Sequence, residues 1–133
     1  MAKAGADVAL IDLAVKNLEK TKEMCEAEGV KVVPYACDVT KDQIVKDTVQ
    51  QIEKDLGPIY VVVNNAGGVS TRPFHMETME RFWYMIELNF KAVWIAENPT
   101  DDRRCYSPTM SFLVCVSVKR AALSALYSRQ MYS

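Results

Sequence analysis

Along the first half of the chain, apolar runs alternate with stretches in which charged residues recur every three or four positions. Residues 6–12 (ADVALID), 30–36 (VKVVPYA) and 60–63 (YVVV) are short, rich in β-branched side chains and bounded by polar or glycine-containing segments, as strands are. The last run shows no alternation, which predicts cover on both faces, as in a parallel sheet. Pro34 lacks a ladder donor and suits a sheet edge. Two helix patterns lie between the strands. Residues 15–28 place Leu18 and Cys25 on one face of a surface otherwise made of lysines and glutamates, and Gly29 ends them. Residues 41–56 set Ile44, Thr48 and Ile52 in one row, widened by Val45, Val49 and Leu56, before a Gly57-Pro58 stop. Strand, helix, strand, helix, strand is the order of a doubly wound parallel α/β sheet with right-handed crossovers.

Beyond residue 68 the pattern changes. Residues 70–77 read as a loop holding Pro73 and the single histidine, His75, which is expected to be exposed. Thr78 is placed to cap a long helix over 79–97. Phe82, Met85, Ile86, Phe90 and Val93 give that helix an apolar face, and Trp83 and Trp94 add bulk. Residues 97–110 (ENPTDDRRCYSPTM) are polar and turn-rich. Residues 111–118 (SFLVCVSV) read as a strand and 119–132 as a short helix. The chain therefore divides into residues 1–97, an α/β unit, and a segment of different pattern, 98–133.

Composition narrows the classes. With 133 residues, half of them apolar and a quarter charged, the chain is ordinary globular material for one domain. A net charge of −1 creates no field for nucleic acid or an anionic membrane surface. No apolar run approaches the ~20 residues that span a bilayer. The four cysteines, Cys25, Cys37, Cys105 and Cys115, show no CxxC spacing and no histidine partner, so neither zinc nor a disulfide framework is expected. The first residues (MAKAGADVALID) carry acids and do not read as a signal peptide. A cytoplasmic protein with reduced thiols is the expectation.

The candidate chemistry centres on residues 59–68, IYVVVNNAGG. Small and amide residues directly after a buried strand let the backbone turn tightly and let a flat ligand lie against it. Asn64-Asn65-Ala66-Gly67 in this place resembles the NNAG motif of the short-chain dehydrogenase/reductase family, and the resemblance runs from about Ala2 to Trp94. It implies an incomplete Rossmann-like sheet and cofactor contacts at Asn65, Ala66 and Gly67. Asp12, at the end of the first strand, would accept hydrogen bonds from the adenosine ribose and repel a 2′-phosphate, favouring NAD over NADP; the local alternative is a cap for the next helix. Asp38 and Val39, in a DVT triplet, resemble the family's adenine contacts, while Thr40 with Gln43 also spells a capping box. Asn89 has poor helix propensity for a mid-helix position. In Glu87-Leu88-Asn89-Phe90 it matches the asparagine of the family's catalytic tetrad, which helps hold a water in a proton relay. The long helix implies a homo-oligomer interface over 79–97.

Two family features do not occur in these 133 residues. Met1 to Ala6 resembles the last turn of the family's first helix, with no TGxxxGxG turn or strand before it. In the strand order 3-2-1-4-5 that strand is central. Without it, residues 6–12 and 59–63 would each present an open edge. Either these strands close on each other, or something else fills the slot, or the sheet is broken. Nor does any tyrosine have lysine four residues on: Val39, Asn64, Leu88, Met110 and Met131 stand there. SVKRAALSAL, with Cys115 and Lys119 at the two places, either echoes that helix or is unrelated sequence. The resemblance implies NAD(P)-dependent hydride transfer on a small carbonyl or alcohol, such as a 3-oxoacyl thioester, a polyol or a hydroxysteroid. A chain truncated at both ends is expected to bind NAD weakly or not at all and to be inactive alone. The alternative is a non-catalytic fragment or oligomerising remnant.

Overall fold

The computed structural model describes residues 1–97 and 114–117. Strand β1 (Asp7–Asp12) leads through a 3-10 turn (Val15–Leu18) into helix α1 (Glu19–Glu26). Strand β2 (Val32–Ala36), helix α2 (Asp42–Leu56) and strand β3 (Val61–Val63) come next. After a 3-10 turn at Phe74–Met76 comes one long helical rod: α3 (Met79–Ile86), a π-turn (Glu87–Lys91) and α4 (Ala92–Glu97). Strand β4 is Val114–Ser117, inside the stretch 111–118. The stretch 119–132, read as a helix, lies outside the described residues.

The sheet order is β2-β1-β4-β3. β1 and β2 pair in parallel from Val8↔Val32 to Asp12↔Ala36. β4 runs antiparallel to both of its neighbours. Val8 and Val61 share Val116 as partner, Ala9 and Val62 share Cys115, and Leu10 and Val63 share Val114. β1 and β3 are therefore parallel and in register, two strand spacings or ~10 Å apart. Of the outcomes left open for the central slot, it is filled, and by a strand of opposite direction. Cys115 lies in that strand, so it does not begin a helix of the Tyr-x-x-x-Lys kind. The carboxyl ends of β1, β2 and β3 remain on one edge.

Alternation along β1 divides the core between two faces. Ala9 faces α2 and α4, packing with Val45, Ile52, Val62, Ala92, Ile95 and Ala96. Val8 and Leu10 face the other way, with Val32, Leu18 and, at the margin, Cys25 and Val61. Helices on both faces make the fold a doubly wound α/β sheet. Pro34 stands in β2, an edge strand.

Several local expectations shift. The helix expected over 15–28 begins as a 3-10 turn, because Asn17 is drawn back onto Asp12. In α2 Val45 and Ile52 are buried, Val49 and Leu56 partly so, and Ile44 is exposed. The capping box does not form: α2 starts after Lys41 without a side-chain cap, and the Thr40 hydroxyl donates instead to Asp38 Oδ1 at 2.7 Å. Thr78 does cap α3, accepting from Arg81 N. Tyr60 is exposed rather than covered, since β3 begins one residue later at a sheet edge. The long rod packs through small residues, Ala92 and Ala96 with Ile95, while Phe82, Trp83, Phe90 and Trp94 are exposed. His75 is exposed as expected.

Candidate functional site

Three connections meet at the carboxyl edge of the sheet: the turn after β1, the segment after β2 and the loop after β3. They enclose a cleft of about 530 Å³. Asp12, Asp38, Val39, Asn65, Ala66 and Gly67 all line it, so every cofactor candidate falls in one place. Carboxyl ends of parallel strands are where open α/β sheets bind ligands.

Each wall has a local cause. The Asp12 carbonyl accepts from Cys37 N at 2.9 Å, which ties the end of β1 to the end of β2. Asp12 Oδ1 accepts from Ala14 N at 3.2 Å and from Asn17 Nδ2 at 2.6 Å. The aspartate thus organises the turn and lines the cleft at once. Asp38 Oδ1 accepts from the Thr40 hydroxyl and from Thr40 N at 3.0 Å, an Asx-turn that fixes the second wall. The Thr40 hydroxyl, with its backbone N–H and the Lys41 charge, holds Asp38 below the usual carboxylate range against partial desolvation. Burial pushes the Cys37 thiol above its ordinary value, with the Asp38 charge adding to the rise and a hydrogen bond with Thr48 opposing it.

The third wall is held by Asn89. It sits in the π-turn, where backbone bonds reach five residues back rather than four. Asn89 Nδ2 donates to Met85 O, four residues back, at 2.8 Å and to Gly68 O at 3.0 Å, and its Oδ1 accepts from Gly68 N at 3.1 Å. The side chain therefore clamps the loop after β3 onto the rod. A Cβ on Gly67 would lie 2.9 Å from Asn89 Oδ1, so the clamp also demands glycine there. Leu88 and Tyr84, on the same rod, close the cleft beside Gly67.

The lining carries the carboxylates Asp12 and Asp38 and, among the described residues, no lysine or arginine. Such a surface accepts hydrogen bonds from neutral hydroxyl and amino groups and repels anions. Sequence reasoning missed Asn17, Thr21, Cys37 and Tyr84 as lining residues. Cys37 was findable as the neighbour of Asp38; Asn17 and Thr21 needed the turn geometry. Among the described residues, no three of His, Cys, Asp and Glu gather as a metal site.

The family profile described as short chain dehydrogenase matches residues 1–98. The chain belongs to the short-chain dehydrogenase family. The 5-keto-D-gluconate 5-reductase of Escherichia coli K12 is 35% identical over 96 residues, covering 71% of this chain and 37% of that protein. An alcohol dehydrogenase from the archaeon Thermococcus sibiricus, solved with 5-hydroxy-NADP, superposes with a TM-score of 0.68 at 30% identity, over 74% of this chain and 42% of the other. An NAD+-bound xylitol dehydrogenase gives 0.67 at 29% identity, over 71% of this chain and 37% of the other. This short-chain dehydrogenase sequence thus spans little more than a third of the curated relative's length. Among its described residues, no helix is long and apolar enough to cross a membrane.

Proposed function

We propose that the cleft takes the adenosine half of NAD, in preference to NADP, for hydride transfer between the nicotinamide ring and a carbonyl or alcohol carbon of a small molecule. The observation that carries this reading is the convergence of Asp12, Asp38, Val39 and the Asn65–Gly67 loop on one cleft with no lysine or arginine among its described lining residues. Asp12 accepts from ribose hydroxyls and repels a 2′-phosphate, Asp38 and Val39 border the adenine, and the thin Gly67 loop lets the cofactor lie close. When bound, the cofactor supplies or receives the hydride. Asn89 holds the loop and supports the water relay. The likeness to a keto-gluconate reductase and a xylitol dehydrogenase favours a polyol or keto-sugar acid as substrate class. The unpaired thiols of Cys25 and Cys37 suit a cytoplasmic setting.

These 133 residues contain no Tyr-x-x-x-Lys pair and no glycine-rich phosphate turn. We infer that the chain alone binds NAD weakly and does not turn over. The test is a two-dimensional NMR titration with NAD alongside an NADH-consumption assay on a panel of polyols and keto acids. Shifts confined to residues 12–17, 37–40 and 64–68, at millimolar NAD and without turnover, support the reading. Shifts elsewhere, or none, refute the site, and turnover that survives Asn89→Ala refutes the role given to Asn89.

A second reading concerns assembly. Trp83, Phe90 and Trp94 are 57%, 69% and 71% exposed along one rod, a large apolar surface for a monomer. It favours a homo-oligomer through residues 79–97. Sedimentation of the chain and of Trp94→Lys tests this, and a monomer in both cases refutes it.

A further inference from the structure

Asn17 was not singled out by its sequence, yet it makes the shortest side-chain contact to the residue on which cofactor choice rests. Its Nδ2 donates to Asp12 Oδ1 at 2.6 Å. The geometry that brings it there is built in. Asn17 N closes the turn onto Ala14 O at 3.0 Å, and Leu18, next in sequence, is anchored in the core. Ala14 N binds the same oxygen of Asp12. Both donors therefore hold Oδ1, and neither takes Oδ2. The Asp12 backbone is meanwhile fixed by its pairing with β2. Asn17 itself lines the cleft beside Asp12.

We propose that Asn17 is the positioning residue for cofactor selectivity: it locks the Asp12 carboxylate in the rotamer that presents Oδ2 to a ribose and keeps the charge where a 2′-phosphate would sit. The inference rests on the proposed reading of the cleft as an adenosine site. A carboxylate held by only the longer Ala14 bond turns about its side-chain torsions. A turned Asp12 gives a ribose a poorer acceptor and leaves more room for a phosphate. Electrostatic discrimination then falls even though the net charge of the cleft is unchanged, because repulsion depends on distance. Asn17 is exposed, so its removal leaves the core intact.

The experiment compares adenosine 5′-monophosphate with adenosine 2′,5′-bisphosphate by NMR titration of the whole chain, Asn17→Ala, Asn17→Ser and Asp12→Ala. The original chain should prefer the monophosphate. Asn17→Ala should reduce that preference by about threefold to tenfold, the scale of one charge-assisted hydrogen bond at a solvated site. Asn17→Ser, which keeps a donor, should recover part of it, and Asp12→Ala should abolish it. A turn that only supports structure would weaken both nucleotides alike and leave their ratio unmoved. Without ligand, the Asn17 side-chain amide should be as rigid by heteronuclear relaxation as the backbone, and mobile in Asp12→Ala. An undiminished preference in Asn17→Ala, or a mobile amide in the original chain, overturns the role of Asn17 and leaves the adenosine site standing. Failure of both nucleotides to perturb the cleft overturns the site itself, and the inference with it.

Discussion

The clamp between Asn89 and the loop after β3 makes a sharp thermodynamic prediction about Gly67. Asn89→Ala removes the bonds to Gly68 N, Gly68 O and Met85 O. Neutral hydrogen bonds contribute ~0.5–1.5 kcal/mol each, with solvent-exposed ones at the low end, so the loss should be ~1.5–2.5 kcal/mol. Gly67→Ala alone should cost a similar amount. Its Cβ would lie 2.9 Å from Asn89 Oδ1, whereas its next neighbour, Asn65 O, is at an ordinary 3.8 Å. The amide cannot retreat without releasing Gly68. Once Asn89 is alanine, however, that obstacle is gone. Gly67→Ala should then be neutral or slightly stabilising, because alanine restricts the unfolded chain by ~0.4–1 kcal/mol. The cost of the second substitution therefore vanishes or changes sign, and the pair is sub-additive by ~1.5–3.5 kcal/mol. Urea unfolding monitored by circular dichroism on the four chains of the cycle reads this directly. Additivity to within ~0.5 kcal/mol would mean that Gly67 and Asn89 do not meet, and the account of the third wall would fail.

The same geometry has other consequences. Thr40→Val should raise the Asp38 pKa toward the ordinary carboxylate value, since the hydroxyl is the main cause of its depression; carbon NMR of the carboxyl measures this, and an unchanged titration refutes it. A depressed folded pKa stabilises fully above the unfolded value of about 3.9, and the contribution fades as pH falls below it toward the folded pKa. Thr40→Val should therefore be the less stable chain above that window and lose less stability than the original as pH falls through it, and an equal loss in both chains there would contradict the hydrogen bond. Ile52→Ala empties a fully buried site between α2 and the sheet and should cost ~2–5 kcal/mol, against ~0.5–1.5 for Ile52→Val, by urea unfolding. Cys37 should alkylate more slowly than Cys25 at mildly alkaline pH, by site-resolved mass spectrometry, because it is buried and its thiol pKa is raised. Equal rates would mean that the core around Cys37 opens freely.

Features that depend on neighbours a few residues apart could be read in the sequence. The order of strands and helices is visible in spacing, because a strand or a helix must present one periodic face. The cleft was legible for a related reason. Asp12 ends β1, Asp38 stands two residues past β2 and the Asn64–Gly67 loop follows β3, and parallel strands bring such ends to one edge. Features that depend on the third dimension were not legible. Ile44 has the spacing of a core residue, but α2 buries its neighbour Val45 and leaves Ile44 exposed. Bulk in the long rod pointed to Phe82 and Phe90, yet close approach to the sheet selects Ala92 and Ala96, and the π-turn rotates one half of the rod against the other.

The central slot gives the same distinction its clearest physical form. The family's strand order implied that residues 6–12 and 59–63 would each present an open inner edge, and unpaired backbone groups are costly to bury. It could not say which partner, because a ladder is made of backbone atoms common to every residue. The common registration of β1 and β3 on Val114, Cys115 and Val116 shows how undemanding that requirement is. A strand of either direction completes the ladder, and direction decides only which end of the strand reaches the cleft. A parallel occupant would end at the cleft with the other carboxyl ends, whereas β4, being antiparallel, brings its amino end there. The hydrogen-bonded sheet is thus satisfied by β4, while among the described residues the walls of the cleft come from the connections after β1, β2 and β3 and from the rod. Completing the sheet and lining the cleft consequently make separate demands on the same slot. This separation accounts for a sheet whose candidate site keeps Asp12, Asp38 and its Asn89 clamp beside a strand that runs the opposite way.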